Sequence, residues 1–275
     1  MSANAAQAEY WNEAAGPVWA ALQEKLDTQL APLGERAVTT LAPQAGEAIL
    51  DIGCGCGQTT WRLAKIAGPA GRVVGVDIST PMLAVARGRA GDRPGPEFRE
   101  LDAQTGDLGA GAFDAAFSRF GVMFFADPAA AFANIRGALK PGGRLAFVCW
   151  RPMGENPMFT APGEAGAAFL PPPEPSDPAA PGPFAFADSE RVRSILRAAG
   201  FQDIAIAPLN APIGGAELDG ATDLALRVGP LASALREHPE LEDRVRTAVR
   251  SRLTEFLTDG RVWFPAAVWI VTARS

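Results

Sequence analysis

Three carboxylates sit at the ends of short apolar runs: Asp51 in "LDIGCGCGQ" (50–58), Asp77 in "RVVGVDI" (72–78) and Asp102 in "EFRELDA" (97–103). An ionised carboxylate only accepts hydrogen bonds, so three of them around one crevice suit a ligand rich in donors. A molecule with an ammonium group, a ribose diol and an exocyclic amine would use all three. Gly53, Gly55 and Gly57 let such a ligand come close to the backbone. Their spacing is G-x-G-x-G, and Gln58 stands where a dinucleotide-binding loop needs its third glycine. The G-K-[ST] ending of a phosphate loop is missing from the stretch as well.

These residues need a scaffold, and the sequence describes one. Apolar runs at 47–53, 72–78, 97–103, 113–120 and 144–150 read as buried strands, separated by helical stretches at 58–68, 79–90 and 127–140. Strands alternating with helices build a parallel sheet covered on both faces, with ligands outside the carboxyl ends of its strands. All three acids therefore face one crevice. No internal repeat is present. Residues 5–42 read as two or three helices, with Gly16-Pro17 expected to break the first and Ala31-Pro32 to end or kink the second. Past Trp150 the chain becomes proline-rich, and "PPPEPSDPAAPGP" (171–183) excludes a helix or central strand there. That segment is either a disordered connector or a partly ordered loop over a pocket. A helix at 188–200, a strand at 201–209, helices within 216–258 and a last strand at 262–274 complete the chain. The 43-residue helical stretch (216–258) between the last two strands is too long for a hairpin and predicts a helical cap.

In motif order over residues 45–150 the sequence resembles the class I S-adenosylmethionine-dependent methyltransferases, particularly small-molecule enzymes related to ubiquinone-biosynthesis methyltransferases. The resemblance implies an α/β, Rossmann-like open sheet, mostly parallel and seven-stranded, with helices on both faces and the last strand antiparallel. It would divide into an N-terminal helical lid (1–42), a cofactor-binding core (43–150), a Pro-rich active-site loop (151–187) and a C-terminal part of the sheet (188–275) carrying the cap at 216–258. By the same resemblance Gly53, Gly55 and Gly57 pass beneath the methionyl part of S-adenosylmethionine, with Asp51 near its amino group. Asp77 takes the ribose hydroxyls, Ile78 and Met82 pack on the adenine, and Asp102 accepts from its amine beside Ala103. Ser118 and Arg119 border the methionyl end. The implied reaction is methyl transfer by in-line displacement, achieved through positioning and desolvation and leaving S-adenosylhomocysteine. Nucleic-acid amine methyltransferases often carry an Asn/Asp-Pro-Pro-aromatic run after the fourth strand. Here that place reads "SRFG" (118–121), which points away from nucleobases.

Tyr10, the only tyrosine, and Trp11 precede any core element, and they are expected to fold over the cleft against cofactor and acceptor. Aromatic faces attract a sulfonium cation. Trp19 is expected only to pack. On the acceptor side, Phe120, Phe124, Trp150, Arg151, Met158 and Phe159 join Tyr10 and Trp11 and suggest a hydrophobic or aromatic acceptor. No catalytic residue is defined, and the candidates are Tyr10, Arg119 and Glu155. His238, the only histidine, reads as exposed. Two other readings compete: a nicotinamide-dependent oxidoreductase, disfavoured by Gln58, and a non-catalytic S-adenosylmethionine-binding regulator.

Composition bounds the partners. A net charge of −6 argues against a nucleic-acid or anionic-membrane partner, both of which need a basic footprint. No apolar run approaches a membrane span and no secretory signal opens the chain. Three sparse cysteines favour a reducing cytoplasm over a disulfide framework or a metal site, and they read as unreactive. The oligomeric state is not legible.

Overall fold

A computed structural model describes residues 4–89, 95–172 and 177–275. The sheet begins with β1 (Ala48–Ile52), β2 (Arg72–Asp77), β3 (Glu97–Glu100), β4 (Phe113–Arg119) and β5 (Leu139–Trp150). All five run parallel. β6 (Gln202–Ala216) and β8 (Arg261–Arg274) complete the order β3-β2-β1-β4-β5-β8-β6, with β8 antiparallel to both neighbours. The expected architecture of seven strands is present, plus the two-residue β7 (Leu257–Thr258) paired with β8. Asp259 and Gly260 both have positive φ and close that tight hairpin, so the helical cap ends before residue 258.

The inner strands are buried because their side chains are aliphatic or aromatic on both faces, while the edge strands β3 and β6 are largely exposed. Ile49, Leu50, Val74, Phe117, Phe147 and Val148 are all inaccessible to solvent. Between them run α4 (Gln58–Ala67), α5 (Thr80–Gly88) and α6 (Pro128–Ala138), the last capped by Asp127, whose carboxylate accepts from Ala130 N–H. Strand order reverses between β1 and β4, which opens a crevice at their carboxyl ends. There Gly53, at φ 63°, meets Gly121: a Cβ on Gly53 would lie 2.7 Å from the Gly121 Cα.

Several proline expectations are corrected. α1 (Ala5–Glu9) runs through a π-helical turn (Tyr10–Ala14) into α2 (Ala15–Ala21), so Gly16-Pro17 does not break the helix. The wide turn supplies the bond, Ala15 N–H to Tyr10 C=O, and leaves Pro17 early in the next segment. Pro32 likewise lies inside α3 (Gln23–Leu41), which continues because Leu33, Ala37, Val38 and Leu41 are buried. The Pro-rich region holds α7 (Pro157–Gly166), started by Pro157 at a position that needs no N–H. Of "PPPEPSDPAAPGP", residues 173–176 fall outside the described ones. β6 runs past its expected end at residue 209 because an edge strand tolerates Pro208 and Pro212. After α8 (Ser189–Ala198), the cap comprises α9 (Leu218–Arg227), α10 (Pro230–Glu237) and α11 (Glu242–Leu253).

Candidate active site

One cavity of about 340 Å³ occupies the crevice. Its first half is built by the ends of β1, β2 and β3. Asp77, 8% exposed at the end of β2, is the keystone. Its Oδ2 accepts from Gly55 N–H and its Oδ1 from Ser79 N–H, each at 2.8 Å. Burial raises its pKa against the opposing pull of these backbone donors. Each oxygen keeps a lone pair, which a sugar diol could fill. Gly55, at φ 53°, lines the cavity, and a Cβ there would point at Met82 Sδ 3.7 Å away. Ile78, Met82, Leu101 and Ala103 form an apolar slot beside it. The adenosyl cofactor therefore fits: a carboxylate for the sugar, a greasy slot for the base and a side-chain-free stretch of backbone.

Asp102 also lines the cavity, but its oxygens are already engaged. Asn4 Nδ2 donates to both (2.9 and 3.0 Å), Gln104 N–H to one and Thr105 Oγ1 to the other. Asn4 Oδ1 in turn accepts from Ala126 N–H, so this side chain ties the N-terminal segment across the Asp102 end of the cavity. Asn12 and Ser79 tie it again: Asn12 Nδ2 donates to Ile78 C=O, and Ser79 Oγ to Trp11 C=O (2.7 Å).

The cavity gathers Tyr10, Trp11, Gly53, Gly55, Asp77, Ile78, Met82, Asp102, Ala103 and Arg119, and also Phe120, Phe124, Trp150, Met158 and Phe159. Met158 and Phe159 reach it from α7 rather than from a loop. Five expected residues do not line it. Asp51 lies fully buried beneath, where Thr59 and Thr60 hydroxyls donate to its Oδ2 (2.8 and 2.6 Å). Burial pushes its pKa up to about 6 despite those hydroxyls. Gly57 serves packing, since a Cβ there would meet Ala86 and Phe98 at 2.9 Å. Ser118 donates to Ile52 C=O (2.7 Å) and clips β4 to β1. Arg151 points away, ion-paired to Glu155, bonded to Asn210 (3.0 Å) and stacked over Trp269. Glu155 goes with it, which removes it from the catalytic candidates. The reason is strand alternation: the neighbours of Ser118 and Arg151, Arg119 and Trp150, are the ones that face the cavity.

Arg119 is not free to meet a ligand as a lone cation. It bonds to Gln58 and its Nη2 lies 3.3 Å from Asp27 Oδ1, while Arg89 pairs with the same carboxylate. Trp19, expected only to pack, lines the cavity with its edge against Trp11 (5.8 Å). His238 is half-buried beside Glu240 and outside the cavity. The thiols Cys54, Cys56 and Cys149 are unpaired, and burial raises all three pKa values, that of Cys56 to about 12.

Sequence reasoning missed Asn4, Gln23, Asp27 and Gln29, together with the roof from α9–α10 and the floor from Gly214, Val262 and Phe264. One signal was available: on α3, Gln23, Asp27 and Gln29 share a stripe with Leu26 and Leu30.

Fold and crevice together define an α/β protein with a ligand-sized cavity at a topological switch point of its sheet. A profile described as a methyltransferase domain matches residues 50–147. The O-methyltransferase cnsE of Penicillium expansum is 30% identical over 225 residues, 76% of this chain and 74% of that protein. Aklanonic acid methyltransferase DauC of Streptomyces sp. strain C5 is 35% identical over 51% of this chain and 60% of its own. The YcgJ protein of Bacillus subtilis shares the fold, with a TM-score of 0.59 at 17% identity over 89% of this chain and 98% of that one. The chain belongs to the class I S-adenosylmethionine-dependent methyltransferase family, whose cofactor is S-adenosylmethionine. Against other curated relatives it spans only 30% to 60% of their length.

Proposed function

We propose that the protein transfers a methyl group from S-adenosylmethionine to a small hydrophobic or aromatic acceptor. When bound, that cofactor supplies a methyl group on a positively charged sulfur, already activated for displacement. Asp77 holds the sugar, with Gly53 and Gly55 passing beneath the methionyl end and Ile78, Met82 and Ala103 gripping the base. Asp102 acts at the base end through the bonds it shares with Asn4. Asp27 and Arg119 form a charged pair at the methionyl end. Tyr10 and Trp11, strapped down by Asn12 and Ser79, serve as the lid, with Trp11 edge-on to Phe124 at 5.1 Å.

The second half of the cavity takes the acceptor. Phe120 and Trp150 stack there at 4.4 Å and 9°, and Phe159 stands edge-on to Trp150 at 5.1 Å. Aligning two reactants in such a chamber can lower a barrier by ~7–11 kcal/mol, and water exclusion adds to it. No helix among the described residues is long and apolar enough to cross a membrane. The three unpaired thiols support a place in the cytoplasm.

The observation that carries this reading is Asp77: buried, bonded to both flanking loops, and lining the cavity. Calorimetry with S-adenosylhomocysteine tests it. Asp77→Ala should weaken binding by at least tenfold through loss of charge-assisted bonds, and equal affinity would refute it. Incubation with labelled cofactor and a metabolite extract, read by mass for the gain of one CH₂, then identifies the acceptor.

A further inference from the structure

We infer that Gln29 orients the methyl acceptor, and that the acceptor is a flat apolar molecule bearing a carbonyl or similar accepting oxygen. This rests on the methyltransferase reading above. α3 buries Leu26 and Leu33, with buried Leu22 just before its first residue continuing the same helical spacing, and Gln29 takes a place in that stripe where a leucine would be expected. It is 8% exposed and lines the cavity. Its Nε2 is set against Met158 Sδ, its hydrogen-bond partner among the described residues. A thioether is a weak acceptor, and an amide offers two donors and two accepting lone pairs. Burying an amide so poorly matched costs stability, and an aliphatic side chain there would not.

The surroundings explain what the amide can serve. Two residues before it, Asp27 faces the glycine loop and is held by Arg89 and Arg119. Gln29 faces α7 and the opposite half, whose walls include Leu30, Phe159 and Val262. Phe120, Trp150 and Phe159 give that half aromatic walls, which favour a flat ligand. A ligand oxygen reaching Gln29 Nε2 would replace the thioether by a true acceptor, and so fix the ligand's rotation in an otherwise non-directional chamber. A site built to hydrogen-bond one group discriminates against the analogue that lacks it.

The test uses protein saturated with S-adenosylhomocysteine and two matched probes, 2-acetylnaphthalene and 2-ethylnaphthalene, titrated by tryptophan fluorescence. Wild type should prefer the acetyl compound by about five- to tenfold, the value of one buried hydrogen bond. Gln29→Leu, or Gln29→Met should the leucine variant not fold, should bind both within twofold of each other. Gln29→Glu should turn the preference against the acetyl compound. All variants should keep the wild-type affinity for S-adenosylhomocysteine, which a general loss of structure would not allow. A preference that survives Gln29→Leu, or a wild type that binds neither probe or both equally, overturns the proposal. Failure of wild type to bind S-adenosylhomocysteine would instead refute the cofactor reading itself.

Discussion

Asp51 should make the protein less stable as pH rises through the acid range. Its carboxyl is fully buried and its pKa lies at about 6 against an ordinary 3.8, with burial as the main cause. A folded-state pKa above the unfolded one means that the native form binds the proton more tightly. The stabilising contribution is complete below about pH 3.8 and is lost as pH rises to and beyond about 6. Linkage over those two values gives a loss of about 2 kcal/mol between pH 4 and pH 7.5. The assay is urea unfolding of wild type and Asp51→Asn at several pH values across that interval. Asparagine cannot ionise, so the stability difference between the two proteins should drift by about that amount in favour of the variant. Weaker bonds to Thr59 and Thr60 shift the difference by a constant, and Asp77, whose charge adds to the rise at Asp51, titrates in both proteins. A difference that stays flat, or drifts in favour of wild type, would show that Asp51 is not held protonated by burial.

Gly121→Ala should cost about 1–3 kcal/mol, because the new Cβ meets the Gly53 Cα at 2.8 Å and neither backbone can yield. Thermal unfolding reads the loss, and an unchanged midpoint contradicts the close approach. Trp11→Ala removes edge contacts to Tyr10, Trp19 and Phe124, and should weaken cofactor binding and turnover together. If it alters neither, the N-terminal segment is only packing. In native protein at pH 8, Cys54, Cys56 and Cys149 should resist iodoacetamide, since burial keeps them as thiols, and all should react once the chain is unfolded. Rapid labelling of the native state would contradict their placement.

The amino-acid sequence by itself determined the parallel core and the glycine–aspartate half of the cavity. Both depend on local signals: aliphatic runs that only a sheet buried on both faces can hide, glycines at fixed spacing, and Asp77 closing its own strand. The tertiary structure decided which of two neighbours at a strand end faces the ligand. Periodicity shows that Trp150 and Arg151 point opposite ways, but only the packed layers show which way is inward. It also decided that Asp51, Gly57 and Ser118 support the site from behind it, a matter of depth that no spacing encodes. The acceptor half lay furthest out of reach. α3, α7, the cap and the β6–β8 pair lie in separate parts of the chain, and they meet only once the sheet has brought them together. A polar residue such as Gln29 looks like one interruption of an apolar stripe until the opposing wall is in place.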